Sequence, residues 1–334
     1  MKPARWPAWA WGPAFAGALG LLVVACVSDR AELPSAPIAH GDSIAVQTAP
    51  VVLDPSDLGR AAVGDFRYAG GIALTSNQTS RLHGLSDLSI SPENRITSVS
   101  DDGADLLTAR LILDPAGRLV GIADVVLKPL HGLDDRPFQD KAMSDAEGLT
   151  LIADGEMLVS FEREHRILRY PAAGAPSPVP MPSIAMAEND GMEGLTAARA
   201  VAPDAYWVGV EPGGIWLCRL SAACQEVQGL PRPPPGFRLS SLTTGPGGEL
   251  VILHHSWFPT IGSRIQVHIV RDPTGAKQVI GGFAMTPSTT VDNYEGIAVT
   301  AGLNGDWRLY LLSDDNFNAA QRTLLLAFDW TPPK

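Results

Sequence analysis

The sequence predicts an all-β fold, a β-propeller, from three observations. Five stretches share one pattern, in which a polar residue precedes a small one, an apolar strand follows, and a second strand ends in an acid or a histidine. The small residues recur about 45 to 65 residues apart, which is the spacing of propeller blades. Helical periodicity is nearly absent. We expect five blades, or six if the long first repeat contains another; the small residues are Gly84, Gly148, Gly194, Ser241 and Gly296.

The last repeat shows the pattern most clearly. Glu295-Gly296-Ile297 opens an apolar run, and Asn304-Gly305 is a turn signal. Residues 307–312 alternate bulky and polar side chains, as a half-buried strand does. The polar cluster Ser313-Asp314-Asp315-Asn316 then ends the strand.

The remainder of each repeat supplies the two outer strands of a blade. In the first repeat these are residues 107–113 and 119–127, and in the fourth they are 265–270 and 278–284. Both pairs are joined by Asp-Pro-x-Gly, a sequence typical of a tight turn. The fifth repeat is one strand short after residues 323–330. We therefore expect residues 66–74 to supply the missing outer strand and close the ring.

The N-terminal part of the chain indicates export. Residues 1–26 resemble a bacterial lipoprotein signal peptide with the lipobox Val23-Val24-Ala25-Cys26, in which Cys26 would be lipidated. An ordinary signal peptide or anchor helix is the other interpretation. Residues 27–62 are rich in Ala and Pro and are expected to form a flexible tether, with the propeller domain at 63–334. Because Val27 follows the cysteine, we expect an outer-membrane lipoprotein that faces the periplasm.

Composition limits the partners. The chain has 25 Lys and Arg against 36 Asp and Glu, a formal net charge of −11, and its basic residues are scattered. Such a surface excludes nucleic acid and anionic lipid as binding partners, so contact with the membrane is expected through the lipid anchor only. We expect a monomer. Cys218 and Cys224 are predicted to form a disulfide across a turn, with two buried thiols as the other interpretation.

The repeats predict a polar funnel at one end of the ring. In a propeller, equivalent residues of successive blades converge on the same mouth. If several carboxylates meet there, protons or a cation must offset their repulsion, and hard oxygen ligands suit Ca²⁺, with Mg²⁺ also allowed. The residues before the first strands are His83, Glu147, Glu193, Ser240 and Glu295, and those that end the second strands are Asp101, Glu162, Glu211, His254 and Asp314.

These positions give a set of candidate site residues. The predicted metal ligands are Asp101, Glu147, Glu193, Glu211, Glu295 and Asp314. The candidate catalytic residues are Glu162, Arg163 and His254: a carboxylate or imidazole can accept a proton from water, and Arg163 can bind an anion. Trp257 and Phe258 can form the aromatic wall of a pocket. The other interpretation is that acids beside strands simply shape turns or bond to neighbouring backbone.

Other catalytic motifs are missing from the sequence. It contains no G-x-S-x-G elbow, P-loop, dinucleotide fingerprint or H-E-x-x-H motif. Ser86 and Ser144 each precede an aspartate, but no histidine lies at a diagnostic spacing from either. The repeated acids are therefore the main candidates for chemistry.

With these residues in view, the chain resembles the phytase-like family described by the phrase "esterase-like activity of phytase". The resemblance covers about residues 64–330 and implies an exported bacterial β-propeller that hydrolyses ester or phosphoester bonds with calcium. Arg163 is the only basic residue within the motifs, whereas β-propeller phytases bind phosphate with clustered Lys and Arg. The segments that carry the resemblance are Gly70-Gly71-Ile72, His83 to Ser86, Ser100 to Gly103, Asp145 to Leu149, Ser160 to Arg163, Asn189 to Leu195, Asn293 to Ile297 and Ser313 to Phe317.

Two functions follow as hypotheses. The first is a metal-dependent hydrolase of small phosphoesters or esters. The second is a non-catalytic, calcium-stabilised binding module of the cell envelope that presents its funnel to a small molecule or glycan. An open metal position beside a free basic group would favour the hydrolase.

Overall fold

The computed structural model describes residues 43–152, 155–302 and 305–333. It contains 22 strands and one short helix in that part of the chain. The predicted signal peptide, the lipobox Cys26 and the first part of the predicted tether lie outside the described residues. The fold is all-β, as the sequence predicts.

Five antiparallel sheets of four strands form the blades. Blade 1 contains β4 (Leu85–Ile90), β5 (Arg95–Ser100), β6 (Asp105–Leu113) and β7 (Leu119–Pro129). Blade 2 contains β8 (Ala146–Leu151), β9 (Met157–Phe161), β10 (Arg166–Tyr170) and β11 (Ser177–Pro178). Blade 3 contains β12 (Gly194–Ala197), β13 (Ala205–Gly209), β14 (Ile215–Arg219) and β15 (Ala222–Glu226). Blade 4 contains β16 (Arg238–Thr244), β17 (Leu250–Phe258), β18 (Gly262–Arg271) and β19 (Gln278–Met285).

Blade 5 joins the two ends of the domain. It contains β20 (Asn293–Ala301), β21 (Trp307–Asp314), β22 (Leu324–Trp330) and, as its outer strand, β3 (Phe66–Thr75). The pairing of β3 with β22 is antiparallel, with Ala73 opposite Leu324. The prediction that an N-terminal strand completes the fifth blade is therefore confirmed.

The inner strands form a closed ring. β4, β8, β12, β16 and β20 each contact the next strand in this series, and β20 contacts β4. A single parallel bridge between Gly70 and Leu119 links the outer strands of blades 5 and 1. Gly70 has a φ of +101°, and a Cβ atom there would lie 2.4 Å from the Leu119 carbonyl oxygen, so only glycine fits. The five-bladed propeller is confirmed.

The predicted tether ends earlier than expected. Strand β1 (Gln47–Pro50) pairs with β3 along its free edge, and β2 (Ala62–Val63) pairs with the start of β3. Between them the Leu53 side chain is buried, and the Leu53 carbonyl accepts a hydrogen bond from Thr290 N. Residues 43–62 therefore belong to the folded domain, because the edge of β3 offers unpaired backbone groups that this segment satisfies.

Local chemistry explains the two Asp-Pro-x-Gly turns. The Asp114 carboxylate accepts hydrogen bonds from Ala116 N and Arg118 N, and the Asp272 carboxylate accepts from Gly275 N and Ala276 N. Both turns therefore join outer strands of a blade, as predicted.

Two further features are local. Cys218 on β14 and Cys224 on β15 form a disulfide. The helix α1 (Lys141–Ser144) is capped by Asp140, whose side chain accepts from Ala142 N, and it lies directly before β8. Within the described ranges no helix has the length and apolarity that crossing a membrane requires.

Candidate functional site

A shared irregularity places one residue of the inner strand in the channel mouth in four of the five blades. In blade 2, Ala146 pairs with Phe161 and Gly148 with Ser160, so Glu147 is an extra residue that the pairing leaves out. The same bulge leaves out Ser240 in blade 4 and Glu295 in blade 5. Bulges redirect side chains, and here they turn these residues towards the axis.

Blade 3 carries the same extra residue. Gly194 pairs with Gly209, and Gly191 O accepts from Glu211 N, which leaves Glu193 as the residue too many between them. Blade 1 differs, because Ser86 pairs with Val99 and the extra residue lies between Ser86 and Ser89. Ser86 still occupies the ring position, two residues after the carbonyl of Gly84 that accepts from Asp101 N, as Glu147 follows Asp145 in blade 2. The inner ring therefore consists of Ser86, Glu147, Glu193, Ser240 and Glu295.

The inner ring is connected by hydrogen bonds. The Ser86 hydroxyl lies 3.2 Å from Glu147 Oε2 on one side and 3.2 Å from Glu295 Oε2 on the other. Glu295 also accepts from Asn293 Nδ2 at 2.6 Å. Ser86 therefore lies between two acids rather than beside a histidine, and it has none of the partners that a catalytic serine needs.

An outer ring comes from the ends of the second strands. Three equivalent backbone hydrogen bonds fix the position of the outer ring along the channel axis. Asp101 N donates to Gly84 O, Glu162 N to Asp145 O, and Glu211 N to Gly191 O. In blade 4, His255 pairs with Arg238, and in blade 5, Asp314 pairs with Asn293. The outer ring therefore consists of Asp101, Glu162, Glu211, His255 and Asp314.

Two predicted histidines are not in these rings. His83 lies three residues before Ser86; its Nδ1 is 2.5 Å from Asp315 Oδ2 and its ring packs near Phe317. His254 is fully buried beside His268, with a ring separation of 5.4 Å. Because successive residues of a strand point to opposite faces, the mouth receives His255 and not His254. The structure therefore does not place His254, a predicted catalytic residue, in the lining of the mouth.

Seven predicted carboxylates do converge, and an eighth joins them. Asp145, Glu147 and Glu162 have ligand atoms within 4.8 Å of one another, and so do Glu162, Glu193 and Glu211. Glu295, Asp101 and Asp314 interact electrostatically with these groups and with each other. Asp145 lies two residues before Glu147, and its proximity to the repeat motif is the signal by which it could have been found.

Burial and mutual repulsion perturb these acids. Desolvation, followed by the charges of neighbouring carboxylates, raises the pKa of Glu147 and of Glu193 well above the usual range. The pKa of Glu295 and of Asp314 is raised well above its ordinary value, also mainly by burial. Desolvation with the charges of Asp145 and Glu211 raises the pKa of Glu162 to about 7. Without a cation, the funnel therefore keeps protons that isolated carboxyls would release.

Three basic side chains lie around the rings, and each is paired. Lys141 Nζ is 2.5 Å from Asp145 and 3.1 Å from Asp101, whereas Arg163 bonds Asp145 and lies 3.7 Å from Glu188. Arg238 bonds both Glu211 and Asp190. The sequence analysis did not identify Lys141 or Arg238 as part of the site. Eight carboxylates thus outnumber the bases that contact them within the described residues.

The funnel opens into a cavity of about 410 Å³. Its walls include Glu147, Glu162, Glu193, Glu211 and Glu295 together with the blade 4 residues Arg238, Ser240, His255, Ser256 and Trp257. The opposite end of the channel opens into a cavity of about 870 Å³ whose described lining contains hydroxyl, small and apolar residues together with Asn94 and Arg199, but no acid. The acidic chemistry is therefore confined to one mouth.

Asp87 forms the floor beneath the acidic rings. It is fully buried, and it follows Ser86 at the position that Gly or Ser occupies in the other blades. Its carboxylate accepts from Leu149 N at 2.7 Å and from the Ser241 hydroxyl at 2.8 Å, which ties blade 1 to blades 2 and 4. We therefore assign Asp87 a structural role.

The oxygen-rich site fits a hard divalent cation. Carboxylates at these separations are the ligands that Ca²⁺ and Mg²⁺ prefer. In addition, Asp101 Oδ1 is buried without a hydrogen-bond partner among the described residues, although Asp101 Oδ2 pairs with Lys141, and a buried oxygen left unbonded is costly. Glu147, Glu193 and Glu211, with Asp101, Glu295 and Asp314 around them, are the residues that could hold such an ion.

The fold and site define a five-bladed propeller with an acidic funnel at one mouth. The chain belongs to the phytase-like family, whose description is "esterase-like activity of phytase"; the family model matches residues 80–317. No individual curated protein matches the sequence.

Several solved structures are similar to this chain at low sequence identity. A protein of unknown function from Bacteroides thetaiotaomicron is 10% identical with a TM-score of 0.50, over 85% of this chain and 76% of that one. A gluconolactonase from Xanthomonas campestris is 12% identical with a TM-score of 0.44, over 88% of this chain and 98% of that one. Virginiamycin B lyase from Staphylococcus aureus is 11% identical with a TM-score of 0.42, over 84% and 99%. At this identity the likeness concerns the fold alone.

Proposed function

We propose that this protein is a hydrolase of ester or phosphoester bonds that depends on a divalent cation, Ca²⁺ or Mg²⁺, bound in the acidic funnel. Membership of the phytase-like family supports a hydrolase-type propeller. The observation that carries the proposal is the convergence of eight carboxylates on one mouth, where desolvation and repulsion make a cation favourable.

The rings allow a division of roles. Glu147, Glu193 and Glu211 hold the cation, since they lie in the two groups of close carboxylates. Asp101, Glu295 and Asp314 add negative charge from the adjoining blades. The bound cation supplies charge that polarises the carbonyl or phosphoryl oxygen of the substrate.

Glu162 accepts the proton of the attacking water. Its carboxylate is shared by both groups of acids and borders the cavity, so it can reach a water molecule that lies between them. Arg163 does not bind the substrate, because it does not line the cavity. Its guanidinium bonds Asp145 and faces Glu188, so its role is to hold Asp145 in position.

All three nearby basic side chains form salt bridges, and this observation would favour the second function, a binding module. A non-catalytic, calcium-stabilised binding module needs the cation but no free anion-binding group. Lys141, Arg163 and Arg238 are each engaged by carboxylates. Turnover separates the two functions, because only the hydrolase releases product.

The cellular location is a further part of the proposal. A lipid on Cys26, followed by Val27, would hold the domain at the outer membrane facing the periplasm, with a monomer as the working unit. Mass spectrometry of the mature protein tests this directly, since an acylated N-terminal cysteine has a characteristic mass. A mature N-terminus at any other residue would overturn it.

The test of the function combines stability and turnover. Thermal unfolding is measured in EDTA and in millimolar Ca²⁺ or Mg²⁺, beside hydrolysis of 4-nitrophenyl butyrate and 4-nitrophenyl phosphate. A ligand at about 100 times its dissociation constant adds about 2.7 kcal/mol to the free energy of unfolding. The Glu193→Gln, Glu295→Gln double variant should lose both the stabilisation and the turnover.

The control is Glu164→Gln, which removes one exposed carboxylate outside the cavity. It should keep both responses. Stabilisation without turnover would support the binding module, and an absence of stabilisation by either cation would overturn both functions.

A further inference from the structure

Blade 4 provides no acid to either ring. At the inner position blades 2, 3 and 5 provide Glu147, Glu193 and Glu295, whereas blade 4 provides Ser240 and blade 1 provides Ser86. At the outer position the other four blades provide an acid, whereas blade 4 provides His255. Burial lowers the pKa of His255 to about 4, so the imidazole is neutral near pH 7. Apart from Arg238, whose charge is paired with Glu211 and Asp190, the blade 4 wall of the funnel therefore carries no charge.

The hairpin that forms this wall extends beyond the rim. Strand β17 continues for three residues past His255 to Phe258, and β18 returns from Gly262 with Trp257 opposite Ser263. Trp257 is 57% exposed and lines the cavity. An indole that is left this exposed beside a cavity provides a flat apolar surface for a ligand.

The polar groups of the hairpin do not add charge to the cavity. The Arg264 guanidinium lies over the rings of Phe237 and Phe258, at 5.1 and 5.5 Å, and its Nη2 donates to the Ser256 hydroxyl. His255 Nε2 is buried and has no hydrogen-bond partner among the described residues. The neutral imidazole thus borders the cavity beside the indole without adding a formal charge.

We propose that this wall, formed by Ser240, His255, Ser256 and Trp257, binds the apolar group of an uncharged carboxyl ester, so that the funnel acts on neutral esters in preference to phosphomonoesters. The inference rests on the proposed function. A phosphomonoester brings two negative charges into a mouth whose carboxylates already outnumber the bases, whereas a neutral ester brings none. An aryl or alkyl group can instead pack on Trp257 while its carbonyl faces the acidic rings.

The reaction is hydrolysis of the acyl C–O bond. The oxygen of water bonds to the carbonyl carbon, one proton of that water passes to Glu162, and the acyl C–O bond breaks. The alcohol leaves with the proton that Glu162 returns, and the products are a carboxylic acid and an alcohol. No oxidant, reductant or second substrate is needed.

The test compares substrates and binding. In millimolar Ca²⁺ at pH 8 we expect hydrolysis of 4-nitrophenyl butyrate to exceed that of 4-nitrophenyl phosphate by on the order of 100-fold in kcat/KM. Trp257→Ala should raise KM for the butyrate about tenfold with kcat little changed, as expected for the loss of one aromatic contact. Ile261→Ala is the matched control, because Ile261 is exposed on the same hairpin but does not line the cavity.

A binding measurement distinguishes a failure of this inference from a failure of the proposed function. Saturation-transfer NMR in EDTA measures the affinity of 4-nitrophenyl butyrate for the full protein, because without the cation the proposed hydrolysis does not consume the ester. Binding that weakens in Trp257→Ala but not in Ile261→Ala supports the wall even if no turnover occurs, in which case the hydrolase fails. Preference for the phosphate, or binding that Trp257→Ala leaves unchanged, would overturn the inference.

Discussion

Replacing Glu193 with glutamine should have opposite effects on stability without and with a cation. Glu193 is 9% exposed and lies within 4.8 Å of ligand atoms of Glu162 and Glu211. Two unit charges at 4.8 Å repel by about 3.5 kcal/mol at an effective dielectric constant of 20. The carboxyls relieve part of this repulsion by retaining protons, so we expect Glu193→Gln to stabilise the cation-free domain by about 1–3 kcal/mol at pH 8.

In saturating Ca²⁺ wild type should be more stable than Glu193→Gln, which is the reverse of their order without a cation. Wild type gains about 2.7 kcal/mol at 100 times the dissociation constant, whereas the variant has lost a ligand and gains less. Differential scanning calorimetry in EDTA and in Ca²⁺ measures both orders, and each 1 kcal/mol shifts the melting temperature by about 2–4 °C in a domain of this size. Glu164→Gln should follow wild type under both conditions.

The result that refutes the reasoning is a variant that is less stable than wild type in EDTA and equally stabilised by Ca²⁺. That outcome would mean that Glu193 contributes a structural hydrogen bond and not a charge that a cation offsets. A reversal of the stability order of wild type and Glu193→Gln between EDTA and Ca²⁺ is informative, because a simple packing defect would make the variant less stable under both conditions.

Three further outcomes follow from the fold and the rings. Asp87→Ala should lower the free energy of unfolding by about 2–5 kcal/mol, because it leaves the buried Leu149 N–H unpaired; urea unfolding measures the loss. Gly70→Ala should cost about 1–3 kcal/mol, because its φ is +101° and a Cβ would meet Leu119 O; hydrogen exchange at β3 and β7 should then increase. The cation-free domain should become less stable from pH 5 to pH 8, measured by thermal unfolding in EDTA. Burial raises the pKa of Glu162 from 4.5 to about 7, so over that window the folded state keeps a proton that the unfolded chain has released, and the stability falls as pH rises.

Each outcome has a result that would contradict it. Wild-type stability in Asp87→Ala would show that the floor is held by packing alone, and unchanged exchange in Gly70→Ala would show that the bridge to β7 is dispensable. Stability that rises from pH 5 to pH 8 in EDTA would mean that the acids are ionised in the folded state. Calcium should abolish the pH dependence, because a bound cation replaces the protons.

The blade count and the closing strand could be predicted because they depend on strong local patterns. Alternating hydrophobicity, turn residues and a shortage of one strand in the fifth repeat are all visible in the sequence. The segment from Gln47 to Pro50 could not be recognised as a strand, since all four of its side chains are exposed and its stability comes from the backbone of β3.

The ring residues of blades 1 and 4 could not be assigned correctly from sequence. His83-Gly84-Leu85 imitates the Glu-Gly-Leu pattern of the other repeats, but the hydrogen bonds of the Ser86 hydroxyl to Glu147 and Glu295 place Ser86 at the ring position, three residues after His83. In blade 4 two histidines are adjacent, and only the pairing of His255 with Arg238 shows which of them reaches the mouth. A bulge shifts register by one residue, and neither hydrophobicity nor spacing reveals which residue it leaves out.

The pairing of β3 with β22 has a consequence for how the chain folds during synthesis. Ala73 and Leu324 are about 250 residues apart in sequence, and closing a loop of that length costs about 5 kcal/mol of chain entropy. Until β22 emerges from the ribosome, β3 lacks this partner, and its buried residues Phe66 and Ile72, which belong to two different core clusters, lack the β22 side chains of those clusters. A chain that stops before residue 324 would thus be an open arc with two unpaired blade surfaces, and it should be removed by proteolysis and not accumulate as a smaller propeller.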